Sequence, residues 1–324
     1  MEQLKDKRGR HITYIRISLT DRCNYRCQYC MPAEGIPFIE HEKIISYEDV
    51  LFLLRSFWEM GIKKTRFTGG EVFVRKGFMD FLDKAKKTLP DMHFTITTNG
   101  HFLAEHVVAL REIGISGVNI SLDSLNPEKF KEITRCGSLS NVLDGIDAAC
   151  REKLPIKINT VLMRGFNDDE IMDLLAFARE KRITLRFIEF MPLDNDVWGR
   201  DRFLSSDEIF RILPDPSSWQ LVNKKDHSAG PAEYYVHKKT GQKLGIIAAV
   251  SHHFCATCNR LRITATGEVK PCLFSENTFS LKNAIASKNP EMVWAIMQKA
   301  LMAKPETWQK IAHIGNCHMS SIGG

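Results

Sequence analysis

The sequence predicts an α/β fold, in which a partial parallel barrel of six βα repeats precedes a C-terminal α+β extension. The chain has 324 residues, which is long for one ordinary domain but suits a barrel with an appendage. From residue 12 to about residue 190, short strand-like runs alternate with amphipathic segments, as is typical of a parallel sheet with helices outside it. After Pro192 this alternation stops. We therefore expect a barrel over residues 1–225 and an appended region over residues 226–324.

Six runs rich in β-branched and aromatic residues predict the strands of the barrel: 12–19, 64–68, 93–98, 118–122, 156–162 and 184–189. The amphipathic segments between them predict the outer helices: 47–59, 78–88, 104–113, 141–151 and 168–181. Crossover connections between parallel strands are right-handed, so these repeats are expected to curl into a barrel or a part of one.

One face of the predicted strands is polar, although parallel barrels usually fill their interior with apolar side chains. In the first strand, Tyr14 and Arg16 alternate with Ile15 and Ile17. Four further strands place polar side chains on a shared face in the same way: Lys64, Arg66 and Thr68; Thr95, Thr97 and Asn99; Asn119, Ser121 and Asp123; Lys157 and Asn159. A half-exposed antiparallel sheet would give the same pattern. The helical spacers favour a lumen that holds a large, polar, anionic ligand.

The region after Pro192 has a different pattern. Strand pairs are predicted at 234–237 and 243–250, and at 260–264 and 268–270, with a tight turn at Gly267 in the second pair. Residues 281–287 and 291–301 predict helices, and residues 193–203 and 213–219 predict connecting loops. This region is therefore expected to form a smaller α+β unit beside the barrel.

Composition argues against several classes of function. The chain is 44% hydrophobic and 26% charged, with a formal net charge of +6, and its dispersed basic residues give no support to nucleic-acid binding. No apolar run approaches the roughly 20 residues that span a bilayer, and the charged N-terminus lacks an apolar signal segment. We expect a cytoplasmic protein without membrane partners. Its nine cysteines are then metal ligands or buried thiols rather than disulfides.

Three cysteines follow the first predicted strand at CxxxCxxC spacing: Cys23, Cys27 and Cys30. A tight loop with this spacing converges three thiolates on one soft metal centre. An electron-transfer 4Fe–4S cluster normally has a fourth cysteine ligand, so a triad leaves one iron open to another molecule. A structural zinc site is the alternative, but such sites usually have four ligands, and the loop contains no histidine.

A second cysteine triad lies towards the other end of the chain. Cys255 and Cys258 form a CxxC pair, and Cys272 follows the predicted hairpin. A CxxC pair with a distant third cysteine is a moderately specific metal signal. A zinc site completed by His252 or His253 is the alternative here.

The run from Cys23 to Cys30 after a first strand resembles the signature of radical S-adenosylmethionine (radical SAM) enzymes. The resemblance implies a TIM-like partial barrel, a 4Fe–4S cluster on the first triad, and S-adenosylmethionine on its open iron. In such enzymes one electron splits the sulfonium into methionine and a 5′-deoxyadenosyl radical, and the protein supplies position and shielding. Cofactor contacts implied by the family pattern are Tyr29, Gly69, Gly70, Glu71, Ser121, Arg186 and Met191. The family usually has proline after Gly-Gly-Glu, where this chain has Val72.

The second triad, together with residues 21–23, 97–100, 157–159, 187–191 and 258–262, resembles one radical SAM family more closely. That family performs the first step of molybdenum cofactor biosynthesis. The resemblance implies a second 4Fe–4S cluster on Cys255, Cys258 and Cys272, whose open iron binds the guanine of GTP. It implies substrate contacts from Arg16, Arg66, Thr97, Lys157, Asn159, Arg260, Leu261 and Arg262. It also implies that the final Gly323 and Gly324 enter the active site and are needed for activity.

The implied reaction joins C3′ of GTP to C8 of its guanine ring. The product passes to cyclic pyranopterin monophosphate synthase, an electron donor is required, and the expected assembly is a homodimer or a monomer. Two alternatives stay open from the sequence. One is a radical SAM peptide maturase with an auxiliary cluster, although such enzymes usually have more C-terminal cysteines. The other is a zinc-stabilised binding protein without redox chemistry.

Overall fold

The computed structural model describes residues 3–193, 198–222, 230–311 and 319. The strands in these residues are β1 Tyr14–Ser18, β2 Lys64–Thr68, β3 His93–Thr98, β4 Gly117–Ser121, β5 Ile156–Leu162, β6 Thr184–Glu189, β7 Trp219–Val222, β8 Glu233–His237, β9 Lys243–Ile247, β10 Arg260–Ile263, β11 Glu268–Lys270 and β12 Phe279–Ser280. The α-helices are α1 Tyr47–Glu59, α2 Phe78–Thr88, α3 Leu103–Ile113, α4 Pro127–Thr134, α5 Leu139–Arg151, α6 Ile171–Glu180, α7 Ser206–Ile212, α8 Lys282–Ala286 and α9 Pro290–Met302.

The strands form one sheet in the order β12-β11-β10-β1-β2-β3-β4-β5-β6-β9-β8-β7. Each of the strands β1 to β6 pairs in parallel with the next one. This confirms the predicted six-strand parallel core, and the antiparallel alternative is wrong. The terminal strands β12 and β7 are not neighbours in this order, so among the described residues the barrel is open.

The C-terminal region extends both edges of the parallel core. Strand β10 pairs in parallel with β1, which brings Arg262 opposite Arg16, and β9 pairs in parallel with β6. The predicted β8–β9 and β10–β11 antiparallel pairs are both confirmed, although β9 ends at Ile247 rather than at residue 250. The appended region thus extends the wall of the barrel at both edges instead of standing beside it.

Four of these helices and strands were absent from the sequence prediction: α4, α7, β7 and the two-residue strand β12. Helix α4 begins after Asn126, whose side chain accepts hydrogen bonds from two backbone N–H groups, and it has Pro127 in its first turn. Helix α7 begins with a capping box in which Ser205 and Glu208 satisfy each other's backbone N–H groups. Strand β7 is a short edge strand that exposes three of its four residues, so its side chains carry no alternating pattern.

The apolar faces of the strands pack beneath the outer helices. Ile15 and Ile17 of β1 and Phe67 of β2 are completely buried, as are Phe94 and Ile96 of β3. The opposite face of each strand is thereby turned towards the lumen, as the alternation predicts. None of the helices in the described part of the chain is long and apolar enough to cross a membrane.

Candidate active site

Both cysteine triads line one cavity, with a volume of about 290 Å³, in the lumen of the barrel. The first triad follows the C-terminal end of β1, whereas Cys258 precedes β10 and Cys272 follows β11. Because β10 runs parallel to β1 and starts opposite Tyr14, the second triad lies at the N-terminal end of β1. The two triads therefore face each other along a strand whose four residue steps rise about 13 Å.

The first triad is held by a tight backbone turn. The carbonyl of Cys27 accepts hydrogen bonds from the N–H groups of Cys30 (2.9 Å) and Met31 (3.1 Å), and Arg26 donates to the carbonyl of Cys23 (2.7 Å). Burial and the neighbouring thiols raise the pKa of Cys27 well above its usual range. Burial also raises the pKa of Cys23 to about 11. These thiols are therefore protonated at neutral pH in the protein alone.

The turn Gly69–Gly70–Glu71 braces the chain that leads into the first triad. Gly70 N–H donates to the carbonyl of Thr20 (2.7 Å), and Glu71 N–H donates to that of Arg22 (2.8 Å). A Cβ on Gly69 would lie 2.5 Å from the Thr20 carbonyl oxygen, and one on Gly70 would overlap the Arg22 carbonyl. Glycine is required at both positions because two backbones meet there.

Glu71, which is predicted to contact the cofactor, lies outside the lining of the cavity. Its side chain is completely buried. It accepts hydrogen bonds from Asn99 N–H (2.7 Å) and the Thr98 hydroxyl (2.9 Å). Burial raises the pKa of this carboxyl to about 7 even though these hydrogen bonds oppose the shift. In the structure Glu71 joins the loops after β2 and β3, and its direct contact with a cofactor stays a prediction.

The second triad lies among cations. Arg10 donates to the carbonyl of Cys255 (2.9 Å), and Lys304 donates to the carbonyls of Arg260 (2.9 Å) and Pro271 (2.8 Å). Burial alone would raise the pKa of Cys258, but the charges of Lys304 and Arg260 outweigh it and lower this pKa to about 6. The environment therefore favours a thiolate before any metal binds.

The two histidines beside the second triad lie in different surroundings: one is at the surface and the other lines the cavity. His252 is exposed, and its ring lies 3.0 Å from the carboxylate of Asp207. His253 lines the cavity, and its Nδ1 is buried without a hydrogen-bond partner among the described residues. The alternative in which His252 completes a zinc site is thus unfavourable, because its side chain is engaged at the surface.

Eight cationic side chains line the cavity: Arg16, Lys64, Arg66, Lys157, Arg186, Arg260, Arg262 and Lys304. Among the described lining residues Asp123 is the sole carboxylate. Burial opposes ionisation of Tyr14, but Arg66, Arg16, Lys64 and Arg260 lower its pKa to about 8. A site with this excess of positive charge attracts and concentrates anions.

Burial and the charges of neighbouring arginines lower the pKa values of three arginines in the cavity. Burial, with the charge of Arg262 beside it, lowers the pKa of Arg16 well below its usual range. Burial and the charge of Arg260 lower the pKa of Arg262 to about 10. Arg186 donates to the side-chain oxygen of Asn119, and burial lowers its pKa to about 10. Holding these cations close together in a buried site costs free energy, and a bound polyanion would offset that cost.

Nearly all of the predicted contact residues that the structure describes line this one cavity: Arg16, Tyr29, Arg66, Gly69, Gly70, Thr97, Ser121, Lys157, Asn159, Arg186, Met191, Arg260 and Arg262. Leu261 is the other exception besides Glu71, because its side chain is 1% exposed and belongs to the hydrophobic core. Gly323 and Gly324 lie outside the described residues. The alternation in β2 predicted that Lys64 faces the lumen, although Lys64 was not named as a substrate contact. Lys304 was missed, and no sequence pattern marks it.

The donor atoms fit iron–sulfur clusters and a polar ligand. Each triad offers three soft thiolate ligands. Within the described residues no three His, Cys, Asp or Glu side chains are grouped around one ion position, and a cubane cluster binds its cysteines through separate iron atoms. Between the triads, Thr97 Oγ1 and Asn159 Oδ1 are buried and have no hydrogen-bond partner in the part of the chain that the structure describes, which is costly unless a ligand supplies one.

Comparison with known proteins identifies the class of enzyme. Residues 17–178 match the Radical SAM superfamily, and residues 183–310 match the family described as Molybdenum Cofactor Synthesis C. SuiB of Streptococcus suis bound to S-adenosylmethionine has a similar structure, with a TM-score of 0.64 and 15% identity over 90% of this chain and 68% of that one. At this identity the likeness shows the fold alone. The fold and the site define a radical SAM enzyme with S-adenosylmethionine and 4Fe–4S clusters as cofactors.

Similar proteins of named function identify the family of radical SAM enzymes to which the chain belongs. A GTP 3′,8-cyclase of Alkaliphilus oremlandii is 41% identical over 99% of this chain and 100% of that protein. GTP 3′,8-cyclases of Petrotoga mobilis and Listeria monocytogenes are each 40% identical, over 98% and 97% of this chain. This chain belongs to the GTP 3′,8-cyclase family. The predicted family and cofactors are thereby confirmed, and the reading as a zinc-stabilised protein without redox chemistry is wrong.

Proposed function

We propose that this chain cyclises GTP to (8S)-3′,8-cyclo-7,8-dihydroguanosine 5′-triphosphate, the first step of molybdenum cofactor biosynthesis. One observation carries the proposal: two cysteine triads, each one ligand short, face each other across a single cationic cavity. A protein that only transfers electrons has no need for two incomplete ligand sets that share one lumen. A peptide maturase has no need for eight cations in that lumen.

Cys23, Cys27 and Cys30 would hold the cluster that binds S-adenosylmethionine, and Cys255, Cys258 and Cys272 would hold the second cluster. When bound, these groups supply the electron that cleaves S-adenosylmethionine, the 5′-deoxyadenosyl radical that takes hydrogen from C3′ of GTP, and an open iron for guanine. We assign the contacts to S-adenosylmethionine to Tyr29, Gly69, Gly70, Glu71, Ser121, Arg186 and Met191.

The chain's own task is to orient the two reacting carbons. Tyr29 donates a hydrogen bond to Asp123 (2.7 Å), and Asp123 accepts another from Val161 N–H (2.8 Å), so that this aromatic ring is fixed beside the first triad. At the other end the guanine is anchored at the second triad. The ribose between these anchors is then held with C3′ near C8, and positioning of this kind removes much of the entropic cost of reaction.

The cations neutralise the triphosphate. Arg16 and Arg262 lie side by side on β1 and β10, and Arg66 and Lys157 stand on β2 and β5. Guanidinium groups bind phosphate oxygens in a bidentate way. Leu261 contributes through its backbone, since its side chain is in the core.

The C-terminal Gly323 and Gly324 complete the site in this proposal. Met319 lines the cavity, and five residues can reach at most about 18 Å. A tail that starts at Met319 can therefore bring two glycines to the substrate.

Anaerobic incubation of iron-replete enzyme with GTP, S-adenosylmethionine and dithionite tests the proposal. We expect 5′-deoxyadenosine and a cyclised nucleotide in equal amounts, quantified by chromatography and mass spectrometry. The proposal fails if the enzyme forms neither compound while its iron content is about eight per chain. Formation of 5′-deoxyadenosine only with an added peptide would favour the maturase reading instead.

We also propose that residues 1–225 act as the radical SAM unit and residues 226–324 as the unit of the second cluster. The enzyme works in the cytoplasm, receives electrons from a separate donor, and passes its product to cyclic pyranopterin monophosphate synthase. A homodimer or a monomer is expected, and size-exclusion chromatography with light scattering distinguishes the two.

A further inference from the structure

Tyr234 of β8 lines the cavity that holds both triads. In the sheet it pairs in register with Gly245 of β9, and Gly245 pairs in register with Arg186 of β6. These three residues therefore form one row across three strands, which is about 10 Å wide between the outer backbones. The side chains of Tyr234 and Arg186, at the two ends of the row, both face the lumen.

The glycine in the middle of this row lets the two outer side chains meet. A Cβ at Gly245 would lie 2.6 Å from Cγ of Arg186 and 3.2 Å from Cε1 of Tyr234. The first distance is too short for two carbon atoms that are not bonded, and Cγ lies near the base of the arginine side chain, where it cannot move aside alone. Glycine is required here because two side chains lie above it.

The hydroxyl of Tyr234 connects two cations of the lumen. Arg186 and Lys157 both interact with this hydroxyl, and Lys157 Nζ lies 5.7 Å from the centre of the Tyr234 ring. Burial alone would raise the pKa of Tyr234, but the charges of Arg186 and Lys157 outweigh it and lower this pKa. A hydroxyl oxygen has two lone pairs, so it can face both cations at once and reduce their mutual repulsion.

The Arg186 guanidinium is held on its other side by Asn119. Arg186 donates to the side-chain oxygen of Asn119, and the Asn119 amide nitrogen donates to the carbonyl of Ile96 (3.1 Å), which fixes the orientation of the amide. Arg186 is also buried. The direction of this guanidinium is therefore determined by Asn119 at one side and by Tyr234 at the other.

We propose that Tyr234 is a positioning residue that couples the two ligand sites of the cavity. The inference rests on the proposed function, in which Lys157 contacts the nucleotide and Arg186 contacts S-adenosylmethionine. A nucleotide that neutralises Lys157 weakens its repulsion of Arg186 and fixes the hydroxyl between them. The guanidinium is then in place before S-adenosylmethionine binds, so each ligand increases the affinity for the other, because coupling between two binding sites is reciprocal.

Anaerobic calorimetry on reconstituted holoenzyme measures this coupling. With oxidised clusters and without a reductant there is no turnover, so S-adenosylmethionine can be titrated with and without saturating GTP. We expect GTP to tighten the binding of S-adenosylmethionine at least about fivefold in the wild type. Tyr234→Phe, which removes a single oxygen atom, should reduce this factor to less than about twofold.

Tyr235→Phe is the matched control. Tyr235 follows on the same strand, where successive side chains point to opposite faces, and it does not line the cavity, so this variant should retain the effect of GTP. Gly245→Ala displaces Arg186 and should weaken the binding of S-adenosylmethionine whether or not GTP is present. Thermal unfolding checks the integrity of each variant.

The inference is overturned if Tyr234→Phe keeps the full effect of GTP, if Tyr235→Phe loses as much of it, or if Gly245→Ala binds S-adenosylmethionine like the wild type. Wild-type enzyme that binds GTP without any change in its affinity for S-adenosylmethionine would refute the coupling alone. Wild-type enzyme that binds no GTP would refute the proposed function, and cyclisation is scored separately with a reductant.

Discussion

The two cysteine triads line the same cavity, but Cys27 of the first and Cys258 of the second lie in opposite electrostatic surroundings. Around the first triad, burial raises the pKa of Cys27 well above its usual range. Around the second, Lys304 and Arg260 lower the pKa of Cys258 to about 6. The first environment disfavours free thiolates and shields whatever binds there from water. The second compensates negative charge, which serves both a thiolate-bound cluster and an anionic substrate beside it.

The largest difference is expected when each triad is broken in turn. Cys27→Ser should abolish formation of 5′-deoxyadenosine, because the radical source is lost. Cys258→Ser should retain some 5′-deoxyadenosine but form no cyclised nucleotide, because the substrate loses its anchor. Chromatography of anaerobic reactions measures both products. Cys150→Ser, on helix α5 and outside the cavity, should behave like the wild type; equal losses in both triad variants would contradict the division of roles.

Alkylation of cluster-free protein should distinguish the triads directly. At pH 7, Cys258 with a pKa of about 6 is mostly thiolate, whereas Cys23 with a pKa of about 11 is not. Allowing for the lower nucleophilicity of the more acidic thiol, we expect iodoacetamide to modify Cys258 about a hundredfold faster. The rate at Cys258 should fall as the pH drops below 6. Mass spectrometry of peptides gives the rates, and Lys304→Met should slow Cys258 at pH 7 by raising its pKa; equal rates at the two cysteines would refute the contrast.

The loop of the second triad contacts a buried ion pair, and the described residues around the first triad contain no such pair. Arg10 and Asp6 are 5% and 1% exposed and lie 2.6 Å apart, and Arg10 also donates to the carbonyl of Cys255. Arg10→Ala should lower the free energy of unfolding by about 3 kcal/mol and reduce iron towards about four atoms per chain.

Chemical denaturation and iron analysis measure these two effects. Arg8→Ala is the matched control, since Arg8 forms a half-exposed pair with Glu306, and exposed ion pairs contribute little to stability. Full iron content in Arg10→Ala would show that the second triad does not need this support.

A smaller effect is expected at the support of the first triad. Gly70→Ala places a Cβ against the Arg22 carbonyl, so the chain before Cys23 must shift at a cost of about 2 kcal/mol. S-adenosylmethionine cleavage should fall while the second cluster keeps its iron. Gly165→Ala, where a Cβ meets open space outside the cavity, serves as the steric control. A Gly70→Ala enzyme with unchanged cleavage would mean that the turn tolerates movement.

Much of the barrel could be predicted because its signals are local. Strand β1 alternates Tyr14 and Arg16 with buried isoleucines, and this period of two fixed both the lumen face and its charge. The pairing of β10 with β1 joins segments more than 240 residues apart, and no local pattern encodes such a contact. The opposite placement of the triads follows from that pairing, so the sequence could predict both triads but not their geometry.

The residue that supports the backbone around the second triad could not be predicted for the same reason. Lys304 reaches the backbone of Arg260 and Pro271 from the chain after α9, and nothing in its own neighbourhood distinguishes it from a surface lysine. Helices α4 and α7 are a different case, because Asn126 with Pro127 and Ser205 with Glu208 are recognisable starting signals. Those two helices could have been predicted, and the lysine could not.

Because β1 and β10 pair in parallel, the length of β1 sets the distance between the two triads. Both triads are attached to the same pair of hydrogen-bonded strands, so their separation is set by the five residues of β1 and not by how two domains dock. Thermal motion between lobes would change such a distance, but a hydrogen-bonded ladder hardly stretches. An insertion or deletion in β1 would shift the register with β10 and turn lumen side chains into the core, so the gap that the reacting groups must bridge is fixed in the covalent chain itself.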